Sequence, residues 1–393
     1  MRPNSLKSTT VLAAGFAVAL GASGLASAQE ADPELMLRSM GTAENINDVV
    51  LEAFAHASMD LSEEDRALAL QCWNDGSCDT GRGELTVALA DGFGENVWRR
   101  VTAMEFIMQA LTYPEVARII YVSARGDASK AISDMRSLIA QGADIIITFP
   151  DAGPALLPAV REATEEGIVV VPYIAGLGGE AGEDYLTFVA EDLCELGRQF
   201  VQFAAENNDE DSVEIVELGG TPGNQLSAAW QACSDEVIEG DDRLTLLGTA
   251  DTNWTQEGTF EAMSSFLSQH DDIDAVLYEY ADGFRGGVRA YEAAERDMDL
   301  ILALRTDEQG LFCDWEAMDA ENFRIFYSSG GSFQSRIALT AAMMHIDGEE
   351  VPPMVDVPFL MKEVEDGICN PDLPDQMPVS TAIDSDMLGR MFQ

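Results

Sequence analysis

From Glu84 onward the chain repeats one unit: a short run of apolar residues, a turn, then a helix with apolar residues three or four apart. ELTVALA (84–90) is followed by the turn Asp91-Gly92-Phe93-Gly94, and then by Val97, Val101, Met104, Met108 and Leu111 at helical spacing. Strand-like runs recur at 116–122, 143–149 and 168–173, and again at 213–218, 244–249, 275–280, 300–304 and 323–327. Helical faces lie between them, such as Ile132, Met135 and Ile139 after Asp127, an expected N-cap. A continuously apolar strand has to be covered on both faces, so the pattern predicts α/β architecture with doubly wound parallel sheets. About ten strands in one open sheet is unusual. Two smaller sheets are the simpler arrangement. Open parallel sheets bind ligands outside the carboxyl ends of their strands, so two facing sheets would enclose a cleft.

Composition narrows the function. The chain has 393 residues, with 70 Asp plus Glu against 22 Lys plus Arg, for a net charge of -48. The 47% hydrophobic content supplies a real core and excludes wholesale disorder. The charge excludes nucleic acid as a partner, because phosphates would be repelled. Scattered carboxylates are read as a solvated face rather than a site. No apolar run reaches the roughly 20 residues of a membrane span.

Residues 1–28 read as a cleavable signal peptide: Arg2 and Lys7, the apolar stretch Val11 to Leu20, then Ala26-Ser27-Ala28. The expected location is a bacterial periplasm. Six cysteines in an oxidising compartment make disulfides plausible. Cys72 and Cys78 flank the turn Asn74-Asp75-Gly76-Ser77 and are the favoured pair, with Cys194–Cys233 and Cys313–Cys369 as guesses for the rest. No metal is expected: there is no CxxC, and His56, His270 and His345 are far apart. Residues 29–83 are acidic with helical spacing at 47–57 and 62–72, and no strand is expected before Glu84. This helical extension has no function legible in its residues.

Several stretches together resemble the type I periplasmic binding proteins, the ribose-binding-like substrate-binding proteins of sugar ABC transporters. They are ELTVALADGFGENVWRRV (84–101), GADIIITFPDAGPALLPAVREATEEGIVVV (142–171), LTFVAEDLCELGRQ (186–199), VEIVELGGTPGNQLSAAWQA (213–232) and DDIDAVLYEYADGFRGGVRAYEAA (271–294). The resemblance implies two α/β lobes joined by three hinge crossings, near Thr187, at Ser329-Gly330 and over Pro352 to Val357. It divides the chain into a first lobe of 84–187 plus 330–356 and a second of 188–329 plus 357–393. It implies a small solute as ligand, a membrane permease as partner, a monomer, and no cofactor.

Sugars present hydroxyls and apolar ring faces, so aromatics and polar groups at strand ends are the candidate ligand contacts. These are Asp91, Asn96, Trp98, Arg99, Asp151, Tyr173, Trp230, Trp254, Tyr280, Asp282, Asp307 and Ser329. Trp98 and Trp254 are expected to sandwich the solute. For Ser328, Ser329 and Gln334 a hinge role competes with a ligand role. The fourth strand departs from the family pattern: Ile174-Ala175 replaces an Asp-Arg pair, and Trp230 stands where an arginine is common. That leaves a polyol, a larger glycoside or a quaternary ammonium solute beside a simple sugar. There is no GxSxG, HExxH or GxxxxGK[ST] motif, so no enzyme is expected. A glycoside hydrolase using two carboxylates and a sensor subunit for a membrane receptor remain as alternatives.

Overall fold

The computed structural model describes residues 30–392 except 95, 209, 210, 319 and 321. The signal expected over residues 1–28 lies outside the described residues.

Three helices open the described chain: α1 (Pro33–Met40), α2 (Asp48–Ala57) and α3 (Glu63–Asp75), whose first turns are capped by the side chains of Asp32, Asn47 and Ser62. In the first lobe, β2 (Leu85–Asp91) runs parallel to β3 (Val116–Ser123) on one side and β4 (Ile145–Phe149) on the other, with β5 (Val169–Pro172) outside β4. A fifth strand, β1 (Ser77–Asp79), pairs antiparallel with β3. It corrects the expectation that no strand precedes Glu84. Ser-Cys-Asp carries no apolar run; the open edge of β3 recruits it after the close approach of Cys72 and Cys78 turns the chain back from α3.

Helix α4 (Val97–Leu111) buries thirteen of its fifteen residues and α12 (Gln334–Ile346) ten of thirteen. A helix buried on nearly every side, with its polar groups paired inside, needs covering layers on more than one face. The sheet covers one side of this pair, and the extension helices pack on the other, sharing one core with Phe106, Ile107, Ile337 and Leu339. On the opposite face of the sheet, α5 (Ala128–Ala140) and α6 (Leu157–Glu165) bury Met135, Leu138, Ala159 and Val160.

The second lobe is a six-stranded sheet. β7 (Val213–Gly219) lies between β8 (Leu244–Asp251) and β9 (Ala275–Tyr278), followed by β10 (Leu300–Leu304) and β11 (Phe323–Tyr327), all parallel. The short β13 (Lys362–Glu363) adds antiparallel to β11. Helices α7 (Leu193–Glu206) and α8 (Gln225–Glu239) cover one face. The other is covered by α9 (Gln256–Gln269), α10 (Ala281–Ala293) and α11 (Gln309–Met318). Cys72–Cys78, Cys194–Cys233 and Cys313–Cys369 stand at disulfide distance, with Cα separations of 4.9, 5.2 and 4.9 Å.

Between the lobes, β6 (Phe188–Ala190) and β12 (Met354–Asp356) form a separate two-stranded parallel sheet at the first and third crossings. The second crossing runs through Gly330 and Gly331, both at φ 57, a left-handed backbone that glycine adopts without a Cβ penalty.

The last segment corrects the division that kept 357–393 in the second lobe. Its backbone stays bonded there as far as Val379, whose N–H donates to the Asp307 carbonyl, although the Met377 side chain already lies in the first-lobe core. From Thr381 it lies on the first lobe, where α13 (Ser385–Met391) buries Met387, Leu388 and Met391 in the same core as α3 and α4. Residues 377–384 have no periodicity that announces a crossing. The path is decided by two distant carboxylates, Asp307 and Glu105, which accept from adjacent residues of the tail.

Candidate ligand site between the lobes

The site is built at the carboxyl ends of parallel strands. Asp91 ends β2, Phe149 ends β4 and Tyr173 follows β5. Asn96 caps α4 by accepting from the Arg99 N–H at 2.9 Å, which sets Trp98 and Arg99 on the first turn. The Arg99 guanidinium donates to Asp91 at 3.2 Å and to Asp151 at 2.9 Å, and lies 3.4 Å from the Phe149 ring centre. Phe149 meets Trp98 and Tyr173 edge-on, with centroids 6.2 and 5.3 Å away, the geometry that ring quadrupoles favour. Burial raises the pKa of Asp91 against the pull of Arg99. Asp151 is pushed up to about 6 by burial, with Arg99 opposing and the charge of Asp91 adding to the rise.

In the second lobe the organising group is Glu279, just after β9. Its carboxylate accepts from Ser227 Oγ at 2.7 Å, Trp230 Nε1 at 2.7 Å and Trp254 Nε1 at 2.6 Å. Burial raises its pKa, and these donors and the charge of Arg305 oppose the rise. Trp230 is fully buried, edge-on to Phe200 in the core beneath α7 and α8. It acts as a packing residue that supports Glu279, which corrects its expected place as a stacking platform. Trp254 is different. It is half-buried, has φ 51, and packs against the cores of both lobes. Its ring meets Phe93 of the first lobe edge-on at 6.1 Å. A Cβ at Gly220 would run into this indole, so glycine there makes room for it.

The two halves meet at Arg305, which follows β10. Its Nε donates to Glu191 at 2.5 Å, and its guanidinium carbon is 5.9 Å from the ring centre of Trp98 across the cleft. The other Glu191 oxygen accepts from Gln334 Nε2. Glu191 follows the first crossing and Gln334 opens α12 in the first lobe, so one hinge carboxylate joins groups of both lobes. Along this connected path, Tyr173–Phe149–Trp98–Arg305–Glu191–Gln334, several buried polar atoms have no hydrogen-bond partner among the described residues: Tyr173 Oη, Trp98 Nε1, Arg305 Nη2 and Gln334 Oε1, with Asp151 Oδ2 beside them.

The remaining candidates stand elsewhere. Asp282 takes the Gln256 amide at 3.1 Å and lies 3.8 Å from Arg285, on the α9–α10 side. Tyr280 is buried in the second-lobe core at the start of α10. Asp307 accepts from the Ser380 N–H at 2.9 Å and so faces the tail. Ser329 is buried in the second crossing. Tyr280, Asp282 and Asp307, expected as ligand contacts, thus stand apart from this aromatic path, beside second-lobe or tail groups. Reasoning from the sequence passed over Phe93, Phe149, Glu191, Glu279 and Arg305. Their signal was position: each lies at the end of an apolar run or in the loop just beyond it.

The periplasmic binding protein domain model matches residues 89–350. The chain belongs to the periplasmic binding protein family. Among curated proteins it is 28% identical to the ribose import binding protein of Bacillus subtilis, over 47% of this chain and 58% of that one. It is 26% identical to the xylitol-binding protein of Mycolicibacterium smegmatis, over 62% of this chain and 69% of that one. The aligned stretch therefore spans little more than half of the first relative. Among solved structures, the binding component of the arabinose ABC transporter from Shewanella sp. ANA-3, bound to L-arabinofuranose, superposes with a TM-score of 0.64 at 20% identity, over 71% of this chain and 91% of that one. At that identity the likeness concerns the fold. The N-terminal helices and the C-terminal tail lie outside the matched residues.

Proposed function

We propose that the protein is a periplasmic solute-binding subunit that captures a neutral polyhydroxylated solute, a sugar or sugar derivative, between its lobes and delivers it to an ABC permease. One observation carries the reading: unpartnered donors and acceptors from both lobes lie along one aromatic path at the strand ends. Hydroxyls both donate and accept, and sugar ring faces suit Trp98 and Phe149. The charge balance favours a neutral solute. Arg99 and Arg305 are already compensated by Asp91, Asp151 and Glu191, so neither offers an anion an uncompensated positive charge. A solute that touches both lobes favours the closed form by its differential affinity for it. The names of the curated relatives, which bind ribose and xylitol, support the same class. No turnover is required of any residue.

The test is a thermal-shift screen against pentoses, hexoses, polyols, uronic acids and quaternary amines, followed by calorimetry on each compound that responds. A ligand that binds only the native form raises the melting temperature. A neutral sugar or polyol should do so and be recovered unchanged. A response confined to anions or quaternary amines, or chemical conversion of the sugar, overturns the proposal.

A further inference from the structure

Adjacent residues of the C-terminal tail are bound to opposite lobes. The Ser380 N–H donates to Asp307 Oδ2 of the second lobe at 2.9 Å, and Thr381 Oγ1 and the Ala382 N–H donate to Glu105 Oε1 of the first at 2.6 and 2.8 Å. All of these groups are buried. Each end is then secured. On the second-lobe side, the Gln309 N–H donates to the Met377 carbonyl at 2.9 Å, and Cys369 stands against Cys313. On the first-lobe side α13 docks on the N-terminal helices. Arg66 holds Asp384 at 2.7 Å, Arg390 holds Glu63 at 3.0 Å, and the Phe392 ring meets Trp73 at 5.7 Å. The extension itself reaches the hinge: Asn47 Nδ2 donates to the Asp356 carbonyl in β12 at 2.7 Å, and a Cβ on Gly41 would touch Leu360.

We infer that the N-terminal extension and the C-terminal tail form a single device, an anchor on the first lobe and a strap from the second, that limits how far the lobes part. A three-crossing hinge rotates by changing a few backbone torsions. A fourth connection with neighbouring residues fixed to both lobes adds a taut tether. Opening beyond its slack must break buried hydrogen bonds to Glu105 or Asp307, or lift α13 from its seat. The extension thereby acquires a role, because α3 supplies Arg66, Glu63 and Trp73, which hold the two ends of α13. The inference rests on the reading that solute is admitted by parting the lobes, but not on the identity of the solute.

The test needs no ligand. Ketone-bearing residues in place of Lys130 and Glu292, on helices of different lobes, carry spin labels without disturbing the cysteines. Five glycine and serine residues inserted between Ser380 and Thr381 add up to about 17 Å of reach and leave both anchors in place. The ligand-free protein should then show a longer and broader interlobe distance distribution by pulsed dipolar spectroscopy. The same insert between Asp366 and Gly367, inside the second lobe, should leave the distribution unchanged. An unchanged distribution with the first insert, or equal changes with both, overturns the inference. Should the first insert prevent folding, hydrogen exchange of the unmodified protein decides. The Ser380 and Ala382 amides should be protected far beyond those of the exposed loop 178–182, and exchange at that loop's rate overturns the strap.

Discussion

Trp98 and Arg305 face each other across the cleft, with 5.9 Å between the guanidinium carbon and the ring centre, although they belong to different lobes. Each carries a buried donor without a partner among the described residues, Trp98 Nε1 and Arg305 Nη2. Under the proposed function this pair is where a solute would touch both lobes, a different pair from the Trp98–Trp254 sandwich expected from the sequence. The indole N–H of Trp254 is committed to Glu279.

Substituting Trp98→Phe should keep the aromatic body and remove the donor. Arg305→Lys should keep the charge beside Glu191 and remove the second N–H. Each should weaken the sugar found by screening at least tenfold, about 1.4 kcal/mol, in titration calorimetry. Trp230→Phe, which alters a packing residue, should spare affinity relative to these two. Equal affinities across all three variants would remove the cleft assignment.

Glu279 is the acceptor shared by two indoles and a hydroxyl. Replacing it with Gln puts an amide N–H2 where a donor already points. A buried donor left unpaired costs about 1–3 kcal/mol, so Glu279→Gln should lower the urea unfolding free energy by that amount. A midpoint equal to that of the parent protein would show that the three donors find other partners.

Glu105 pairs with Arg336 in the buried layer between α4 and α12, both nearly inaccessible to solvent. Removing one member of such a pair strands a charge, at a cost of about 3–5 kcal/mol. Glu105→Ala should approach that loss in denaturant unfolding. The double variant Glu105→Ala/Arg336→Met should recover part of it. Additive losses in the double variant would count against a stranded charge as the cause.

Several buried carboxyls are raised by burial: Asp151 to about 6, Glu217 and Asp307 to about 7, and Glu308 to about 8. For a raised carboxyl, the folded state binds more protons than the unfolded chain between the two pKa values. Stability therefore falls as pH rises through that window. The melting temperature should be higher at pH 5.5 than at pH 8 at constant ionic strength, and Glu308→Gln should flatten the slope. A melting temperature that increases toward pH 8 would contradict the raised values.

The repeated strand-and-helix unit was legible because each buried parallel strand is its own apolar run. All nine runs read from Glu84 onward became strands, and Gly330-Gly331 marked a crossing because its backbone needs glycine. The enclosing extension left a subtler trace. VWRRVTAMEFIMQAL and QSRIALTAAMMHI have no continuous polar face, so the helices they form need a further layer. By contrast, Glu191, Arg305 and Gln334 are separated by 114 and 143 residues in their contacts, and nothing local pairs them. Trp230 and Trp254 look alike in the chain, yet one became core and the other bridges the lobes, because α8 turns Trp230 inward while the loop after β8 carries Trp254 to the lobe boundary. The nine apolar strands, the helices between them and the two-lobed plan were written in the chain, since those follow from local periodicity and burial. Which charges meet, which indole reaches the lobe boundary and where the tail crosses were settled by tertiary structure, since each depends on groups from separate elements finding one another in a water-poor interior.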